Sequence, residues 1–144
     1  MQRTLPPQIL LIEDDDIDAL ALERAFRREA FESPLLRARS AEEALKILRD
    51  QDLDGLPKPS VALLDLNLPG MDGHAFLKTV REDPELRPLV VFVLSTSIDP
   101  TDVERAYQQQ AAGYFVKAID AGRNDEVLEA LRAYLAVSVL PSDL

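Results

Sequence analysis

Acidic side chains stand directly behind two apolar runs: Glu13, Asp14 and Asp15 follow "ILLI" at 9–12, and Asp65 follows "VALL" at 61–64. Carboxylates delivered to one place repel, by on the order of 4 kcal/mol for a pair about 4 Å apart at an effective dielectric of about 20. They must then take up protons or gather a counter-ion. An all-oxygen site with few carboxylates and room for water suits Mg²⁺, which prefers octahedral geometry and keeps several waters. Two further apolar runs also finish in polar residues, "LVVFVL" at 89–94 in Ser95 and "GYFV" at 113–116 in Lys117. A divalent ion, an ammonium and a hydroxyl around one aspartate can stabilise the equatorial oxygens of a phosphoryl group in transfer, with Asp65 as the nucleophile.

Five short apolar runs alternate with segments of helical period. The strands are expected at 9–12 (β1), 35–38 (β2), 61–64 (β3), 89–94 (β4) and 113–116 (β5), apolar on both faces as central parallel strands are. The helices are expected at 17–30 (α1), 40–48 (α2), 73–82 (α3), 99–112 (α4) and 124–137 (α5). Leu20, Ala21, Ala25 and Phe26 form the apolar stripe of the first, Ser40 and Glu43 a capping box for the second, and Pro84 stops the third. Strict β-α alternation implies a doubly wound parallel sheet with right-handed crossovers and helices on both faces. Ligands of such sheets bind beyond the carboxyl ends of the strands. Glu13, Asp14, Asp65, Ser95 and Lys117 all fall on that edge. The long loop "QDLDGLPKPS" at 51–60 is rich in Asp, Gly and Pro, and Pro141 ends any helix in the tail.

The 144 residues, 47% of them hydrophobic, fit one domain, with a core at 8–137, a tail at 138–144 and no output domain. A net charge of −10 argues against autonomous nucleic-acid binding and against anionic membranes. The absence of cysteine excludes disulfides and thiolate metal sites and permits a reducing compartment. No apolar run approaches the roughly 20 residues of a membrane span. The expectation is a soluble cytoplasmic protein whose partners are proteins and cations.

Taken singly, each site residue has an ordinary explanation. A strand-end Asp is most often a turn former, "EDDDID" reads as a solvated helix start, Ser95 as a cap and Lys117 as a surface side chain. Placement at the ends of four strands on one edge is what sets them apart.

In order and spacing, "ILLIEDD", "LLDLNLPGMDG", "VFVLSTS" and "GYFVK" resemble the signature segments of the receiver domain of two-component response regulators, over about residues 8–137. The resemblance implies a five-stranded (βα)5 flavodoxin-like fold with strand order 2-1-3-4-5. It implies that Asp65 is the phospho-acceptor, that Glu13, Asp14, Asp65 and the backbone carbonyl of Asn67 hold Mg²⁺, and that Ser95 is the switch hydroxyl. Lys117 would contact the phosphate, and Tyr114 would be the aromatic whose rotamer reports activation. Ser97, two residues beyond the switch hydroxyl, would influence how water reaches the acyl phosphate. Such a protein is a phosphoprotein of phosphorelay signalling rather than an enzyme acting on external substrates, and its partner is a sensor histidine kinase. Within the family the chain looks most like stand-alone regulators paired with phytochrome kinases, often homodimers through the α4–β5–α5 face. Val127, Leu128, Leu131 and Leu135 form a core-facing stripe on α5, and Val137, Val139 and Leu140 extend apolarity beyond it.

One departure from the family pattern is Lys117-Ala118, where a proline usually follows the lysine, often through a cis bond. A cis bond to alanine would cost about 2.5–4 kcal/mol. The segment "AIDAGRNDE" is also longer than usual. The sole histidine, His74, is expected as an exposed or capping side chain at the start of α3 and not as a phospho-carrier. The alternative function is a receiver-like scaffold that binds partners without phosphorylation. A Mg²⁺-dependent phosphatase would want a second acid where Asn67 stands, and a flavin site would need a phosphate cradle where "EDDDID" is electrostatically opposite.

Overall fold

Short apolar runs cannot bury both faces alone, and the chain solves this by pairing five of them side by side under helices. The computed structural model describes residues 5–50, 58–117 and 124–144. The elements follow the order β1 (Ile9–Ile12), α1 (Asp16–Arg28), β2 (Leu35–Ala38), α2 (Ala41–Arg49), β3 (Val61–Leu64), α3 (Gly73–Glu82), β4 (Val90–Ser95), α4 (Pro100–Gln108), β5 (Gly113–Val116) and α5 (Asn124–Val137), with a 3-10 turn at Pro141–Asp143. All strand pairs are parallel and the sheet order is β2-β1-β3-β4-β5. Every residue of β1 and β3 is buried, whereas the outer strands β2 and β5 are largely half-buried.

The sheet separates two cores. On one side Leu10, Ile12, Ala62 and Leu64 pack with Leu45, Leu48, Phe76, Leu77, Val80 and Ala106 from α2, α3 and α4. On the other, Ile9, Leu11, Val61 and Leu63 meet Ala19, Leu22, Phe26, Leu128, Leu131 and Leu135 from α1 and α5. Successive strand residues thus serve opposite layers, as the period of two requires.

Side-chain caps start the helices. The carboxylates of Asp15, Asp72 and Asp99 and the Ser40 hydroxyl each accept a backbone N–H of the first turn of α1, α3, α4 and α2 respectively. The capping box on α2 is half as expected: Ser40 accepts the Glu43 N–H, while Glu43 accepts the N–H of Arg39 rather than that of Ser40. Helices α1 and α4 end on non-glycine residues in the left-handed region, Ala30 (φ 48°) and Gln110 (φ 62°). In each, the next residue donates back across the turn, Phe31 to Phe26 and Ala111 to Ala106. That is why α4 stops at Gln108 and not at 112.

Two apolar faces differ from expectation. On α1 the buried residues are Ala19, Leu22, Ala25 and Phe26, and Leu20 is 40% exposed. The segment carries two apolar sets at helical spacing, and the angle at which α1 lies on the sheet selects one. Leu140 is buried against the α1/α5 layer because the 3-10 turn folds the tail back, leaving Val137 and Val139 exposed. The loop at 51–57 and the segment 118–123, including the Lys117-Ala118 bond and most of "AIDAGRNDE", lie outside the described residues. Among the described residues no helix is long and apolar enough to cross a membrane.

Candidate functional site

Backbone hydrogen bonds carry the ladder one residue past the strands. Asp65 N–H donates to the Ile12 carbonyl (3.1 Å), Glu13 N–H to that of Ala38 (3.0 Å), and Lys117 N–H to that of Ser95 (2.8 Å). Ile12 pairs with Leu64 and Ser95 with Val116, so the residues that follow emerge together at the carboxyl edge. Sheet order reverses between β2 and β3, on either side of β1, which opens the crevice into which Glu13 and Asp65 project.

Glu13, Asp14 and Asp65 each bring a carboxylate oxygen within 4.8 Å of the others. Glu13 and Asp65 are buried, and Asp14 is exposed. The Lys117 ammonium bonds Glu13 Oε1 directly and lies 3.4 Å from Asp65 Oδ2. Asp65 Oδ1 accepts the Asn67 N–H at 3.1 Å, so one oxygen of this carboxylate is tied to its own turn and the other faces the lysine. Burial, and then the neighbouring Asp65 carboxyl, push Glu13 up to about 7 against the opposing pull of Lys117. Burial works against the Lys117 charge, yet the hydrogen bond to Glu13 and the charges of Asp65, Glu13 and Asp18 raise its pKa above the ordinary value. Three carboxylates against one ammonium leave excess negative charge. A hard cation such as Mg²⁺ fits this oxygen set.

Glycine is required in the turn that carries Asp65. A Cβ on Gly73 would stand 2.6 Å from both the Asp65 carbonyl oxygen and the Leu66 Cα, so only glycine lets α3 begin against the Asp65 backbone. Gly70 supplies the positive φ (73°) that reverses the chain on the way there.

The remaining expected residues divide. Ser95 is fully buried, and its Oγ accepts the Ser97 N–H at 3.1 Å. Tyr114 is half-buried, and its hydroxyl donates to the Ser97 carbonyl at 2.9 Å. Asp15 caps α1 by accepting the Asp18 N–H and does not join the cluster. His74 departs from expectation: it is 8% exposed, and Nε2 lies 2.9 Å from Asp102 Oδ1, while Asp72 does the capping. The helix start points this side chain toward α4, and a partner 28 residues away cannot be foreseen from local pattern.

Two further residues at the site escaped sequence reading. Asp18, one turn after Asp14 on α1, lies 3.2 Å from the Lys117 ammonium. Arg37 donates from Nε to the Glu13 carbonyl (3.0 Å) and pairs with Asp16 (2.9 Å), bracing the acidic turn from β2. A charged residue within the otherwise apolar "LLRA" was the available signal for Arg37.

A family model described as the response regulator receiver domain matches residues 9–131. The chain is 34% identical over 126 residues to the probable methanogenesis regulatory protein FilR2 of Methanothrix harundinacea, covering 88% of this chain and 81% of that protein. It is 32% identical to the response regulator Rcp1 of Synechocystis sp., over 78% of both chains. The Mn²⁺-bound crystal structure of Rcp1 superposes with a TM-score of 0.81 at 28% identity, covering 94% of this chain and 99% of that one. The phosphorylated cyanobacterial phytochrome response regulator RcpA superposes with a TM-score of 0.83 at 28% identity over the same shares. The five-stranded sheet and its order thus match a flavodoxin-like receiver fold.

Proposed function

The chain belongs to the response regulator receiver family, whose general function is to accept a phosphoryl group, and from that premise we propose that Asp65 is the acceptor. The observation that carries this is one buried carboxylate facing an ammonium at 3.4 Å and flanked by Glu13 and Asp14. The donor is a phosphohistidine on a sensor histidine kinase. An Asp65 carboxylate oxygen attacks phosphorus, the P–O bond forms as the P–N bond breaks, and the departing imidazole keeps the electron pair and takes a proton from solvent. Glu13, Asp14, Asp65 and the Asn67 carbonyl would hold Mg²⁺, which would supply positive charge against the phosphoryl oxygens. Asn67 N–H fixes the plane of the acceptor carboxylate, Lys117 opposes the charge that arrives, and Ser95 donates its hydroxyl to a phosphoryl oxygen.

The added charge, about −1.5 to −2, biases a two-state equilibrium in the β4–α4 region with Tyr114 following, and changes the α4–β5–α5 face. The protein is thus a cytoplasmic signalling module, not an enzyme with turnover on an external substrate. Likeness to RcpA supports a phytochrome as the kinase. The exposed Tyr107, Val137 and Val139 support homodimerisation through the α4–β5–α5 face.

Incubation with a small acyl phosphate and Mg²⁺ should add one phosphoryl mass, lost in Asp65→Asn and on chelation. No adduct on the wild type, or an undiminished adduct on Asp65→Asn, refutes the assignment. Partner binding that ignores both phosphodonor and Asp65→Ala would select the scaffold function instead.

A further inference from the structure

Ser97 links Ser95 to side chains of β5 and α4, and through α4 to α3. Its N–H donates to Ser95 Oγ, and its carbonyl accepts the Tyr114 hydroxyl. Its own hydroxyl donates to Asp102 Oδ2 at 2.6 Å and accepts the Asp99 N–H at 3.2 Å. The second Asp102 oxygen meets His74 Nε2 at 2.9 Å. The hydrogen bond from Ser97, and then that from His74, hold the Asp102 carboxyl below the usual carboxylate range. It is therefore ionised near neutrality and can only accept, so Ser97 Oγ and His74 Nε2 both donate. His74 Nδ1 is buried with no partner among the described residues, which leaves Asp102 as the group that orients the ring.

A serine hydroxyl has one hydrogen and two lone pairs. At Ser95, the Ser97 N–H occupies a lone pair and leaves the hydrogen for another acceptor. The direction of that hydrogen depends on where Ser97 is held, and its side chain is held by α4. We infer that Asp102, anchored to α3 through His74, is a positioning residue that acts through Ser97 to aim the Ser95 hydroxyl at a phosphoryl group on Asp65. This rests on Asp65 being the acceptor and extends the machinery to side chains of α3 and α4 that stand outside the acidic cluster.

The test is a pair of double-mutant cycles read as the rate of adduct formation from an acyl phosphate. Asp102→Ala and Ser97→Ala, the latter keeping the N–H but losing the tether, should each slow the reaction about three- to tenfold, the scale of one hydrogen bond. The Mg²⁺ concentration for half-maximal rate should not move. In a Ser95→Ala background neither substitution should slow the reaction further, because the group being aimed is gone. An undiminished slowing in that background would assign Asp102 a merely structural role and overturn the inference. So would normal rates in both single variants while the wild type forms its adduct. Absence of adduct on the wild type would instead sink the acceptor assignment, and this inference with it. Should Asp102→Ala fail to fold, Ser97→Ala carries the same comparison.

Discussion

Glu13 shows how a proposed metal site and a stability liability occupy the same atoms. Its carboxyl titrates near 7 in the folded chain against 4.5 for the ordinary side chain. Between those values the folded state keeps a proton that the unfolded state has released, so stability falls as pH rises from about 4.5 through about 7, and the penalty is complete above that. Lys117 moderates this without abolishing it, since one ammonium serves Glu13, Asp65 and Asp18 together. In chelator, the wild type should lose more stability than Glu13→Gln between about pH 5 and pH 8, and saturating Mg²⁺ should shrink the difference. Denaturant titrations at the two pH values read this directly, and parallel losses in both proteins would show that Glu13 does not carry the linkage.

Helix α3 is fixed at both ends by contacts of different kinds, and the two ends separate function from stability. At its start, Gly73 abuts the Asp65 turn with no room for a Cβ. Gly73→Ala should cost about 1–3 kcal/mol through overpacking and should also slow adduct formation, because the atoms that must yield belong to the backbone of the proposed acceptor, Asp65, and of Leu66 beside it. At its end, Arg81 donates to the carbonyls of Arg87, Leu89, Gln109 and Gln110, pinning α3 to the entry of β4 and the exit of α4. Arg81→Met leaves those carbonyls without their charged donor and should cost about 2–4 kcal/mol in urea denaturation. Its adduct rate under native conditions should stay close to that of the wild type, since these contacts lie at the amino edge of β4, opposite the acidic cluster. A slowed Arg81→Met or a fully active Gly73→Ala would contradict this division.

For the molecule as a whole, charge governs association. Each copy carries −10, so two copies approach against a repulsion that salt screens over about 8–10 Å near physiological ionic strength. The apolar surface available for the proposed dimer is limited, because Leu140 is folded into the core and leaves Tyr107, Val137 and Val139 to supply it. Sedimentation should therefore show a dimer fraction that grows with ionic strength and, if the proposed change of the α4–β5–α5 face holds, grows again on phosphorylation. A monomer throughout, at concentrations of about 100 μM with and without phosphodonor, would remove the dimer from the proposal.

Strands β1, β2, β3 and β5, the bounds of α3 and α5, and the edge carrying Glu13, Asp14, Asp65, Ser95 and Lys117 were legible in the sequence. Uninterrupted apolar runs, capping side chains and Pro or Gly punctuation act over a few residues, so the linear order records them. The buried stripe of α1, the fold-back of Leu140, the pairing of His74 with Asp102, and the arrival of Asp18 and Arg37 at the site were settled in three dimensions. Each depends on how a helix is rotated on the sheet or on a partner far along the chain. Helical spacing alone allows more than one such orientation, and packing against the sheet admits one.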